Sequence, residues 1–171
     1  MIDDNWTTIA LRLGVATAIG LALGFEREWR GRDAGLRTHA LVALSSATIT
    51  VSALMMSEVA LARGSESDPV RVVQGLAQAI GFIAGGLIFI RGGDVRNMTS
   101  AASLWMSAAV GIAAGAGQFL VVGMAAAAAL LVLTSLSLLK RLMPERDEEA
   151  DDQEGARANR RAKWIEDETA G

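Results

Sequence analysis

Residues 97–139 contain no Asp, Glu, Lys, Arg or His, an uncharged run of 43 residues. A helix crosses the hydrocarbon core of a bilayer with about 20 apolar residues, so this one run supplies two crossings and the turn between them. A water-soluble fold of 171 residues has no core large enough to hide helices that are apolar on every side. Residues 72–90 give another uncharged stretch of 19, and residues 40–56 give 17 more, a full span if residues 36–39 and Ser57 lie in the interfaces. Residues 13–25 are extended past Arg12 by Trp6, Ile9, Ala10 and Leu11, with the Arg12 stem snorkelling to the surface. The pattern predicts an all-α, polytopic transmembrane helix bundle of about five spans.

The mean hydropathy of +0.34 is modest because it averages these spans with a polar tail, in which 15 of the 27 residues from 145 to 171 are charged. Two regions are expected: a transmembrane domain over residues 1–141, and a charged cytoplasmic tail over 142–171, too polar to build a core and expected to be disordered. The formal net charge of −3 arises mostly in that tail and says little about partners. The opening Met-Ile-Asp-Asp lacks the positive start of a secretory signal, so the first span is expected to be retained. There is no cysteine, which removes disulfides, thiol chemistry and Cys-ligated metals. Cytoplasmic loops retain Lys and Arg. One side collects nine (Arg27, Arg30, Arg32, Arg37, Arg91, Arg96, Lys140, Arg141, Arg146) and the other three (Arg12, Arg63, Arg71). That asymmetry places the amino terminus outside and the carboxyl terminus in the cytoplasm.

The chain also repeats itself. Shifted by 61 residues, 14–47 align with 75–108 without a gap, and 13 of the 34 positions are identical. Matches of Ala and Gly are cheap in this composition. The Arg-Gly-x-Asp at Arg30 to Asp33 and again at Arg91 to Asp94, each followed five residues later by Thr, is not. Both copies read span, cytoplasmic loop, span, so the repeat is parallel. The copies differ at the inner end of their first helix, where Glu26, Arg27 and Glu28 stand against Leu87, Ile88 and Phe89. Ionisable groups at that depth are costly and are usually paired, turned to the bundle interior or functional.

The charged loop residues Glu26, Arg27, Glu28, Arg37, Thr38, His39, Arg91, Asp94 and Arg96 form a candidate polar site at the cytoplasmic mouth. In it the two glutamates would face a cation, and Arg27, Arg30 and Arg37 a phosphate-like or lipid anion. The plainer reading is a solvated loop with ion pairs such as Arg27 to Asp33. His39, the only histidine, is expected to open the second span near the headgroups; a lone imidazole makes no metal site, and a satisfied interfacial histidine is preferred to a proton-linked switch. Arg91 to Arg96 form the matching loop, with Gly92 and Gly93 permitting a tight turn. Ser100, Ser103 and Ser107 recur at helical spacing and read as helix–helix hydrogen-bonding groups rather than a polar conduit. Gly20 and Gly24, Gly81 and Gly85, and Gly111 and Gly115 are small-xxx-small pairs expected to pack helices within the protomer. No nucleotide-binding signature and no constellation for enzyme chemistry is visible.

The stretch GFERE at Gly24 to Glu28, AGLRTHALVAL at Ala34 to Leu44 and the second stretch over residues 81–117 resemble the MgtC/SapB family of bacterial inner-membrane proteins. The resemblance covers roughly residues 9–140. It implies an inner-membrane domain of about five helices, linked to adaptation to low magnesium, in a short form without the family's folded carboxy-terminal cytoplasmic domain. The role it implies is regulatory and non-enzymatic, with a magnesium or other cation transporter or channel as the rival, in which Glu26, Glu28 and Asp94 would attract the ion. No cofactor is expected beyond that magnesium link. The partners expected are the lipid bilayer, another membrane protein or a second copy of the chain as a homo-oligomer, and not nucleic acid.

Overall fold

The computed structural model describes the backbone of residues 5–91 and 94–142, and the side chains of 5–90 and 95–135. All but Leu142 of the expected tail lies outside the described residues. Five helices follow in order: α1 (Trp6–Trp29), α2 (Leu36–Ala62), α3 (Val70–Leu87), α4 (Met98–Gly115) and α5 (Phe119–Leu142). The first four are each long and apolar enough to cross a membrane; the apolar portion of α5 with described side chains, Phe119–Ser135, is shorter. Their outward faces are apolar, with Phe82 86%, Leu120 78% and Met124 68% exposed. A surface of that kind needs lipid as its solvent.

Local chemistry ends the helices where the sequence supplies it. Gly31 and Gly64 adopt left-handed φ values of 63° and 74°. In each case the next residue's N–H reaches back to the last turn, Arg32 to the Arg27 carbonyl at 3.1 Å and Ser65 to the Ala60 carbonyl at 3.0 Å. This closes the orphan carbonyls of α1 and α2 in Schellman fashion. Between α3 and α4 the chain departs from the expected loop. Strands β1 (Phe89–Arg91) and β2 (Asp94–Arg96) pair antiparallel, Phe89 opposite Arg96 and Arg91 opposite Asp94. Three β-prone residues, Ile88, Phe89 and Ile90, lead into that hairpin.

The centre of the bundle is α1, α2 and α4, each packed on the other two. A Cβ on Gly20 would meet the His39 carbonyl oxygen at 2.8 Å and Ala40 Cα at 2.9 Å, and one on Gly24 would meet Leu36 Cα at 2.7 Å. Gly111 seats against Ala43 and Ser46, and Gly115 against Ala47 and Thr50. These contacts run α1 antiparallel to α2, and α4 parallel to α2. Backbones approach this closely only where the side chain is a hydrogen. Gly81 and Gly85 behave differently: both are exposed, and nothing lies within 4 Å of a Cβ built on either. The physical reason is rotational. Helix α3 buries Leu76, Ile80 and Ala84, a ridge on another face, and leaves its glycines turned outward.

Candidate functional site

Of the nine residues expected at the charged mouth, the seven whose side chains are described do not form one cluster. Arg27 and His39 turn inward, Glu26 and Glu28 are engaged locally at the helix ends, and Arg37, Thr38 and Arg96 face outward.

Arg27 lies in the last turn of α1 and is 3% exposed. Its Nη2 donates to Ser100 Oγ at 3.0 Å, across the bundle in the first turn of α4. The expected pair with Asp33 is not made; Asp33 Oδ2 instead accepts from Asn97 Nδ2 at 2.6 Å. Arg27 Nε has no hydrogen-bond partner among the described residues. His39, in the first turn of α2, is fully buried. Its Nδ1 stands 3.0 Å from the Gly35 carbonyl oxygen, and its Nε2 3.2 Å from Ser103 Oγ. A carbonyl only accepts, so Nδ1 carries a proton. In the neutral ring Nε2 is then the acceptor, and Ser103 is its donor.

Ser103 has a second claim on its single proton, because its Oγ lies 2.9 Å from the Ser100 carbonyl oxygen. One hydroxyl proton serves one of these acceptors at a time. Ser107 Oγ points to the Ser103 carbonyl at 3.4 Å, completing a buried serine row along α4. A serine beside a histidine resembles half of a hydrolytic site, yet the imidazole's other nitrogen meets a backbone carbonyl where an orienting carboxylate would stand. Farther along the seam Ser46 Oγ is buried without a partner among the described residues, and Thr50 Oγ1 returns to the Ser46 carbonyl at 2.8 Å. What the row does is tie together the ends of three helices.

The two glutamates differ. Glu26 pairs through Oε1 with Arg30 one turn later on α1, while its Oε2 is buried without a hydrogen-bond partner among the described residues. Glu28 Oε2 accepts the Leu36 N–H at 2.8 Å, an acid at the first N–H of α2 where the helix dipole favours it. Gly35 leaves room for that carboxylate, since a Cβ there would meet Oε2 at 2.6 Å. Arg37 and Thr38 are exposed. Arg96 lines a separate polar hollow of about 470 Å³ with Arg32, Asp33 and Asn97. The side chains of Arg91 and Asp94 lie outside the described residues. Among the described residues no three His, Asp or Glu side chains stand together where they could hold a metal ion.

Two contacts were not anticipated from the sequence. Arg12, expected to snorkel, donates from Nη1 to the Gly115 carbonyl at 2.9 Å, placing a cation on the carboxyl end of α4. Asn97, with a left-handed φ of 65°, ties the hairpin to the first loop through Asp33. The internal repeat holds a partial signal for the buried row, since it aligns His39 with Ser100.

A model described as the MgtC family matches residues 13–142 of this chain. An uncharacterised protein of Synechocystis sp. is 41% identical over 115 residues, covering 67% of this chain and 46% of that protein. Protein MgtC of Brucella abortus is 40% identical over 131 residues, 77% of this chain and 51% of that protein. Protein MgtC of Salmonella typhimurium is 38% identical over 130 residues, 76% of this chain and 52% of that protein. The chain thus spans about half the length of the curated relatives it matches. No solved structure matches it.

Proposed function

From the premise that this chain belongs to the MgtC family, we propose that its membrane bundle is a non-enzymatic regulator serving adaptation to low magnesium. It acts in the bacterial inner membrane, with the amino terminus outside, through contact with another membrane protein. The magnesium link comes from the family resemblance. The regulatory part is supported by one observation above all: Arg27 and Glu28 at the charged face are spent on holding helix ends together, and Glu26 is paired within α1. Arg27 is bonded to Ser100, Glu28 to the first N–H of α2, and Glu26 to Arg30. A cation entering there would have to displace Arg30 from Glu26 and the cap from Glu28 before finding two carboxylates.

The test is the full chain in proteoliposomes loaded with a magnesium-sensitive dye, alongside its purification from membranes of cells grown at low magnesium. The expected result is magnesium entry no faster than in protein-free vesicles, together with a co-purifying membrane protein whose activity changes when the chain is added back. Magnesium flux that Glu26→Gln abolishes would overturn the reading in favour of a transporter.

A further inference from the structure

We propose that the groove between α1 and the carboxyl half of α2 is a binding site for one bilayer glycerophospholipid, seated with its phosphate on Arg63 and an acyl chain along the groove. The groove has a volume of about 630 Å³ and is walled by Ile9 and Leu13 of α1 and by Val51, Met55 and Val59 of α2. Along α2 its lining runs from Thr48 to Arg63 at the end of the helix. At 1.5 Å per residue the distance between them is ~22 Å along the helix, which runs from the headgroup level to the middle of a hydrocarbon core ~30 Å thick. That is the depth of one leaflet, the reach of one acyl chain. Thr48 spends its hydroxyl on the Leu44 carbonyl at 2.8 Å, so it offers no polar claim.

Charge decides what sits at the Arg63 end. Of the three arginines on this face, Arg12 is bonded to Gly115 and Arg71 lies 4.0 Å from Asp68. Arg63 makes no ion pair or side-chain hydrogen bond among the described residues. A cation without a partner among the described residues, at the headgroup end of an apolar groove, is complementary to a lipid phosphate above its own tail. Beside the smaller Thr48, Ser52 and Ala60, the walls offer the long thioethers of Met55 and Met56, which suit a flexible chain.

The experiment uses the full chain in vesicles of phosphatidylethanolamine and phosphatidylglycerol containing a trace of phosphatidylglycerol with a photoactivatable acyl chain. The label is mapped to residues by peptide mass spectrometry. Met56 in the groove and Met124 on α5 are matched probes, 70% and 68% exposed and each a few residues from the same face. Labelling of Met56 is expected to exceed that of Met124 several-fold, to fall to the Met124 level in Arg63→Gln, and to survive in Arg63→Lys. A diacylglycerol with the same reactive chain should show no such preference. Equal labelling of the two methionines, an undiminished signal in Arg63→Gln, or equal labelling by the diacylglycerol would overturn the site. So would a disulfide between two Met56→Cys chains in a groove that takes no label, because its occupant would then be a second copy.

Discussion

Arg27 Nη2 and Ser100 Oγ, 73 positions apart in the chain, stand 3.0 Å from each other at the buried junction of α1 and α4. No carboxylate takes the place of that hydroxyl. An arginine removed from solvent is costly to leave unpaired, and in a low-dielectric interior each hydrogen bond it makes is correspondingly strong. The junction therefore contributes more to holding the charged face together than a surface ion pair such as Arg71 with Asp68.

Ser100→Ala should consequently cost about 1.5–3 kcal/mol, the range for a hydrogen bond to a charged group. Arg27→Met, which removes charge and bond together and keeps the volume apolar, should cost less than Arg27→Ala. In the double variant Arg27→Met/Ser100→Ala the two losses should not add, because the serine no longer has a charge to hold. Unfolding of the purified protein in detergent micelles measures all four. Strict additivity would mean that the two side chains do not interact.

The sole histidine of the chain makes the second junction directly observable. In its neutral form His39 is expected to be the Nδ1–H tautomer, held by the Gly35 carbonyl, with Nε2 accepting from Ser103. A ¹⁵N spectrum of the histidine-labelled protein contains this one ring and reads the tautomer without assignment. Ser103→Ala should leave Nε2 buried without a donor, costing about 1–3 kcal/mol, while Ser103→Thr keeps the hydroxyl and should restore most of it. An Nε2–H tautomer would show that the imidazole faces the other way.

The spans were legible because charge is nearly forbidden in hydrocarbon, so its absence over residues 97–139 marks helices without reference to any partner. Which side of a helix turns inward was not. In water the buried face is the apolar one and periodicity reveals it; in lipid the outer face is apolar too, and Leu23 in the core has the same chemistry as Phe82 outside it. Arg27 therefore read equally well as a partner for Asp33 or as a group inside the bundle. Gly81 and Gly85 read as packing glycines because their spacing matches Gly20 and Gly24, yet spacing says nothing about whether a neighbour is present. The buried serines carried more information, since hydroxyls recurring at Ser100, Ser103 and Ser107 have reason to avoid lipid. The hairpin was missed because Gly92 and Gly93 define a turn, whereas strand pairing depends on the residues flanking it.

Glu28 offers a separate test at the surface. Its carboxylate takes the first N–H of α2 from eight residues upstream. Acids near a helix amino terminus contribute about 0.3–1 kcal/mol. Glu28→Gln retains an acceptor oxygen and should lose a fraction of that, and Glu28→Ala all of it. Gly35→Ala should approach the alanine result, because the added methyl occupies the carboxylate's place. Hydrogen exchange at the Leu36 amide reports the cap itself, and unchanged protection in Glu28→Ala would remove this role.

Gly111 and Gly81 provide the sharpest comparison, because they are the same residue type on neighbouring helices in opposite surroundings. A methyl on Gly111 would press on the Ala43 carbonyl oxygen and on Ser46 Cβ, the latter at 2.9 Å. Backbone cannot swing aside as a side chain does, so α2 and α4 must part along the whole seam that also carries His39 and Ser103. Gly111→Ala should cost about 1–3 kcal/mol, the range for overpacking a filled core, and Gly111→Leu should prevent recovery of folded protein from membranes. A methyl on Gly81 meets nothing within 4 Å. Gly81→Ala should leave stability unchanged or raise it by about 0.5–1 kcal/mol, since alanine favours the helix over glycine. Thermal unfolding of both variants in the same detergent decides the matter. Should Gly81→Ala prove as damaging as Gly111→Ala, the outward face of α3 would be packed in the membrane against something beyond this chain's own helices.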